Sequence, residues 1–140
     1  MTQSEIVEIE RRLGFALPES YRSTMLAYPF PPDSFGNECL LPNRPSDVVD
    51  LNEAGVTGPE QVGRAFFVGS DGGEESYFVD ATKSDSPVYV FEIETGRHRV
   101  HCPSWEAYLQ QIRDTDAEIA ADREAARQRK LTKRWWEVWK

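Results

Sequence analysis

Between residues 64 and 101 the chain carries four short β-type runs, and the turns joining them are too short to cross a sheet. The runs are 64–68, 76–80, 88–93 and 97–101, each rich in β-branched or aromatic residues or alternating in polarity. Between them stand Gly69-Ser70-Asp71-Gly72-Gly73, then Asp85-Ser86-Pro87, then Glu94-Thr95-Gly96. A parallel pair needs a crossover of a dozen residues or more, so these neighbours must be antiparallel, joined as a meander. Alternation assigns the faces. Tyr77 and Val79 oppose Phe78; Val88, Val90 and Glu92 oppose Tyr89, Phe91 and Ile93; His98 and Val100 oppose Arg99 and His101.

Helical signals flank this core. Ile6, Ile9 and Leu13 make one apolar stripe, Thr2 and Glu5 have capping-box spacing, and Gly14 suits a left-handed stop. Glu8 and Arg12 are spaced to pair at i,i+4. Pro18 fits the first position of a second helix carrying Tyr21, Met25 and Tyr28. Tyr28-Pro29-Phe30-Pro31-Pro32 reads as a rigid loop, and residues 33–45 as irregular. Ser46 is placed to cap a short helix through Val48, Val49, Leu51 and Asn52, and Gly55, Gly58 and Pro59 mark the loop after it. After Ser104, a long helix carries Trp105, Leu109, Ile112 and Ile119 against the sheet. A helix spanning 104–130 would be about 40 Å long, more than a small domain needs, which predicts a break or a projecting end.

The fold class is therefore a single α+β domain. An antiparallel sheet of four or more strands packs against amino-terminal helices and a long carboxy-terminal helix. Its 140 residues bury a core without metal or disulfide help. Residues 1–122 are assigned to the domain, and 123–140 to a basic extension with Trp135, Trp136 and Trp139. The area of three indoles favours packing of the extension on the acidic domain. A protein or dimer contact is the alternative, and a basic amphipathic end touching membrane or nucleic acid is a third.

Charge narrows the partners. Net charge is -8, with 6 basic and 17 acidic residues in 1–96 against 7 basic and 2 acidic in 123–140. The body repels a phosphate backbone and attracts a basic protein, so no nucleic-acid partner is expected for it. No apolar stretch approaches a membrane span, and Met1-Thr2-Gln3-Ser4-Glu5 opens no secretory signal. Cys39 and Cys102 read as reduced thiols. Together these predict a cytoplasmic protein with no membrane partner.

No set of residues assembles a reaction. His98 and His101 point to opposite faces of a strand, and His98 with Cys102 offers two metal ligands where zinc takes three or four. Cys102, beside His101 and just before the last helix, is the best nucleophile available but has no evident base. Asp71, Glu74, Glu75 and Asp80 lack the pattern of a calcium loop, and the glycines among them lack the lysine of a phosphate loop. No catalytic residue, metal or cofactor is assigned, and the chain is read as a non-enzyme.

The order of segments resembles the SMI1/KNR4 (SUKH) superfamily. The opening helix followed by Leu13-Gly14-Phe15-Ala16-Leu17-Pro18-Glu19-Ser20-Tyr21-Arg22 is similar to its amino-terminal signature. Val48-Val49-Asp50-Leu51-Asn52-Glu53, Phe67-Val68-Gly69-Ser70-Asp71-Gly72-Gly73-Glu74, Tyr77-Phe78-Val79-Asp80, Val88-Tyr89-Val90-Phe91 and Ser104-Trp105-Glu106-Ala107-Tyr108-Leu109 resemble its later segments in order. The likeness spans residues 4–112. It departs at Pro29-Phe30-Pro31-Pro32, where the family has an Asn-Gly-Gly type of turn, and at the tryptophan tail.

The resemblance implies the bacterial immunity-protein branch, whose members bind and silence a cognate toxin domain, often a nuclease or deaminase, encoded nearby. Fungal relatives resemble regulatory scaffolds, which makes a regulatory or scaffold domain the alternative. No catalytic residues carry over. On this reading the expected contact residues are Asp71, Glu74 and Glu75, with Asp47, Asp50 and Glu53 as helpers and Tyr28 and Phe30 as aromatic anchors. A monomer and a homodimer are both compatible with these residues.

Overall fold

The computed structural model describes residues 1–53 and 62–138. The elements are α1 (Gln3–Leu13), α2 (Glu19–Leu26), a π-helical turn (Gly36–Leu40), α3 (Pro45–Glu53), β1 (Ala65–Ser70), β2 (Glu75–Asp80), β3 (Val88–Glu92), β4 (His98–Cys102) and α4 (Trp105–Val138). Helices and an antiparallel four-stranded sheet, in the order β1-β2-β3-β4, form one α+β domain. The sequence-derived loop at Gly55, Gly58 and Pro59 lies outside the described residues, as does Trp139.

α1 starts on the capping box that the sequence spells. Thr2 Oγ1 accepts from the Glu5 N–H at 3.2 Å, and Glu5 Oε1 accepts from the Thr2 N–H at 2.8 Å. Gly14 ends the helix at φ 82°, a conformation that a side chain would strain. The expected Glu8–Arg12 pair does not form. Arg11 takes Glu8, and Arg12 reaches Glu53 on α3 at 3.9 Å. α3 begins at Pro45 itself, so Ser46 lies inside the helix rather than capping it.

The helix-facing side of the sheet carries Phe66, Val68, Tyr77, Val79, Val88, Val90 and Cys102. These pack with Ile6, Ile9, Tyr21, Met25, Trp105, Tyr108 and Ile112 into one buried core. Tyr21 meets Phe66 edge-on at 4.8 Å, and Trp105 anchors α4 to α2 by donating to Thr24 Oγ1 at 2.9 Å. The other side of the sheet carries a second aromatic set. Phe78 stacks on Tyr89 at 5.1 Å, and Phe67 sits 5.3 Å from Phe78 and 6.3 Å from Phe91.

Residues 33–45, expected to be irregular, contain the π-helical turn. Two tyrosine hydroxyls hold it: Tyr28 donates to the Leu41 carbonyl and Tyr108 to the Leu40 carbonyl. Its other end is tied to α4, where Asp116 Oδ1 accepts from the Gly36 N–H at 3.0 Å. These bonds satisfy carbonyls and an N–H that an isolated turn of this kind leaves open.

The tail departs from expectation. α4 runs unbroken to Val138, and its last buried residue is Ile112. Trp135 and Trp136 are 66% and 70% exposed, so they do not pack on the domain. The long helix resolves as a projecting end.

Candidate functional site

One open cleft of about 470 Å³ is lined by α3, the π-helical turn and one end of the sheet. Its floor is apolar, from Leu51, Phe67, Pro42 and Ile93. Its rim is acidic, from Glu38, Asp47 and Asp50. Ser70, Gly73 and Ser76 form the remaining wall, which brings the turn carrying Asp71 and Glu74 to its edge.

Local chemistry fixes each part. Asn52 closes α3 onto the free edge of β1: its Oδ1 accepts from the Phe67 N–H at 2.8 Å, and its Nδ2 donates to the Phe67 carbonyl at 3.0 Å. One side chain thus mimics a strand and satisfies an exposed edge. This places Asp47, Asp50 and Leu51 beside Phe67. The π-helical turn approaches through Gly69, where a Cβ would stand 2.0 Å from the Leu40 carbonyl oxygen. Only glycine permits that contact, and the β1–β2 register shifts at the same point. In the turn itself, Asp71 Oδ1 accepts from the Gly73 N–H at 2.8 Å and the Glu75 N–H at 3.2 Å. Asp71 therefore shapes the loop as well as charging it.

The expected contact residues separate into three groups. Asp47 and Asp50 line the cleft, and Asp71 and Glu74 stand on the turn whose Gly73 lines it; all four are exposed and, among the described residues, without an ion pair. Glu53 and Glu75 are already engaged. Glu53 pairs with Arg12 at 3.9 Å, and Glu75 lies on the helix-facing side of the sheet, 3.9 Å from Arg99, which also holds Glu92 at 2.9 Å. Tyr28 and Phe30 are internal. Phe30 is 7% exposed, with the Arg113 guanidinium 5.9 Å from its ring, and the half-buried Tyr28 clamps Leu41. Neither is available as an anchor. Sequence reasoning missed Glu38 and the apolar floor. The available signal was Ile93, an apolar residue set between Glu92 and Glu94 at the turn, which the structure leaves 50% exposed.

Of the groups weighed for chemistry, Asp80 and the two cysteines are set by their local surroundings. Asp80 leaves the acidic turn altogether and sits buried at the far end of β2. Burial pushes its carboxyl up, but hydrogen bonds from Thr82, Gly63 and Arg64 outweigh this and hold it below the usual range. Burial raises the Cys102 thiol, which donates to Gln111 Oε1 at 3.3 Å. Burial, then Glu38 and Asp71, raise the Cys39 thiol. Both cysteines are held as thiols, the unreactive form. Among the described residues no three His, Cys, Asp or Glu side chains stand together to hold a metal. Among the same residues no helix is long and apolar enough to cross a membrane.

The site is an acidic, apolar-floored cleft on an α+β frame. The chain is a member of the SMI1 / KNR4 family (SUKH-1), which it matches over residues 1–111. The match ends one residue before Ile112, the last buried residue of α4, so the projecting part of the helix lies beyond it. No curated protein and no solved structure matches the chain.

Proposed function

We propose that this protein is an immunity protein, which binds a cognate toxin domain encoded nearby and silences it by covering its active surface. The observation that carries the reading is the cleft: Glu38, Asp47 and Asp50 stand, among the described residues, without an ion pair around a floor of Leu51, Phe67 and Ile93. Unpaired surface carboxylates cost little in water and are free to meet a basic partner. The exposed Ile93 and the floor supply the apolar contact that gives such an encounter lifetime. Toxins that act on nucleic acid present a basic surface to phosphate, and an acidic cover competes for that same field. The bulk of the domain then shuts the substrate out.

The test is co-expression with the toxin domain encoded beside it. Growth is restored by the wild type, and the Asp47→Lys, Asp50→Lys double variant, altered only at exposed positions, loses that protection while remaining folded. Growth arrest despite soluble wild-type protein, or full protection by the double variant, refutes the reading.

A further inference from the structure

The exposed end of α4 carries a second apolar stripe that its own domain cannot use. A helix turns about 100° per residue. Counted from Ile112, the buried Trp105 and Tyr108 fall within about 40° of one line, and this is the face laid on the sheet. Leu131, Trp135 and Val138 fall about 80° to 140° away from that line. The tail positions that do continue the buried face are Arg123, Ala126, Lys130, Arg134 and Glu137, charged at all but the small Ala126. The stripe is thus turned from the body on a helix that shows no break. Val138 also lies about 33 Å along the axis from Asp116, whose carboxylate still holds the body through the Gly36 N–H. The tail cannot fold back into its own cleft while the helix persists.

The stripe is 44% exposed at Leu131, 66% at Trp135 and 79% at Val138, and Arg127, Lys130, Lys133 and Arg134 flank it. Residues 123–140 hold 7 basic and 2 acidic side chains. A basic toxin drawn to the body would be repelled by this segment, so its occupant must be acidic with an apolar floor. The molecule already carries such a surface, rimmed by Glu38, Asp47 and Asp50 over Leu51, Phe67 and Ile93.

We propose that the tail of one copy docks in the acidic cleft of a second copy, reciprocally, closing a two-fold dimer. Reciprocal exchange buries both tails at once and leaves no open end to polymerise. The dimer occupies the cleft in the absence of any partner, and a partner entering the cleft must displace the tail. The inference does not depend on the toxin reading, and its test contains no toxin.

The test is the solution mass of the full chain by light scattering over a dilution series, with point variants at exposed positions. The wild type is expected to be a dimer whose dissociation constant rises at least about 10-fold when salt is raised across the physiological range. Trp135→Ala and the Asp47→Lys, Asp50→Lys variant should each weaken the dimer at least about 20-fold. Lys133→Glu with Arg134→Glu should weaken it similarly, and combining that pair with the two aspartate reversals should restore it. A monomer at every concentration overturns the proposal. So does a dimer lost on Trp135→Ala but indifferent to the aspartates, which would mean tail-to-tail pairing. Failure of the combined reversal to restore the dimer also overturns it. Binding of the monomeric full chain to anionic phosphatidylserine vesicles would assign the tail to a membrane surface instead.

Discussion

Replacing Gly69 with alanine should be among the most damaging single-methyl changes in the molecule. The added Cβ would stand 2.0 Å from the Leu40 oxygen, 2.4 Å from the Leu40 carbonyl carbon and 2.7 Å from the Cys39 oxygen. All three are backbone atoms, so no side chain can swing aside. β1 and the π-helical turn must separate by more than 1 Å, roughly the shortfall from ordinary contact. Overpacking of this kind costs about 2 kcal/mol. The separation also pulls Leu40 from the Tyr108 hydroxyl that bonds it, for about 1 kcal/mol more. The sum, about 3 kcal/mol, corresponds to a fall in Tm of about 12 °C for a domain of this size. Differential scanning calorimetry reads it directly. Gly73→Ala is the control, because its Cβ would meet only Asp71 Oδ1, at 3.6 Å, an ordinary contact. A Gly69→Ala melt indistinguishable from that of Gly73→Ala refutes the claim that the glycine-rich segment exists for this close approach.

Two further variants probe the frame around the cleft. Asp80→Asn should destabilise the protein by about 2 kcal/mol near neutral pH, since it removes a buried charged acceptor of bonds from Gly63, Arg64 and Thr82. Because the folded carboxyl titrates below its unfolded value, this stability is present above about pH 4 and is lost as pH falls through the lower, folded value. The difference between variant and wild type in urea melts should accordingly narrow in acid; a gap independent of pH would contradict the assignment. Asn52→Leu should cost about 2 kcal/mol, by leaving the Phe67 N–H and carbonyl without partners. Amide exchange should show the β1 edge opening first, and unchanged protection at Phe67 would refute the role.

The meander was legible because its turns are short and its alternation is clean. Tyr77 against Phe78, and Val90 against Tyr89 and Phe91, lie on the faces that spacing predicts. The capping box and the Gly14 stop were legible because both are encoded within a few residues. The cleft was only partly legible, since it assembles residues 38–51, 67–76 and 93 from separate segments. Charge alone grouped Glu75 with Asp71 and Glu74. Strict alternation places it on the face opposite Ser76, where Arg99 waits. Phe30 sits among prolines that spell an exposed loop, yet it joins the buried core, edge-on to Tyr28 at 5.6 Å. The tail misled for a related reason: three tryptophans argue for burial, but the phase of Leu131, Trp135 and Val138 relative to Ile112 turns that stripe away from the face α4 lays on the sheet.

The central claim is that the acidic cleft is the surface that takes a protein partner. Its most direct test is calorimetric titration of the proposed toxin-domain partner into the full chain and into the Asp47→Lys, Asp50→Lys variant. The account predicts a one-to-one complex that the double reversal weakens by at least about 100-fold. Equal affinity for the two proteins would place the contact elsewhere and contradict it.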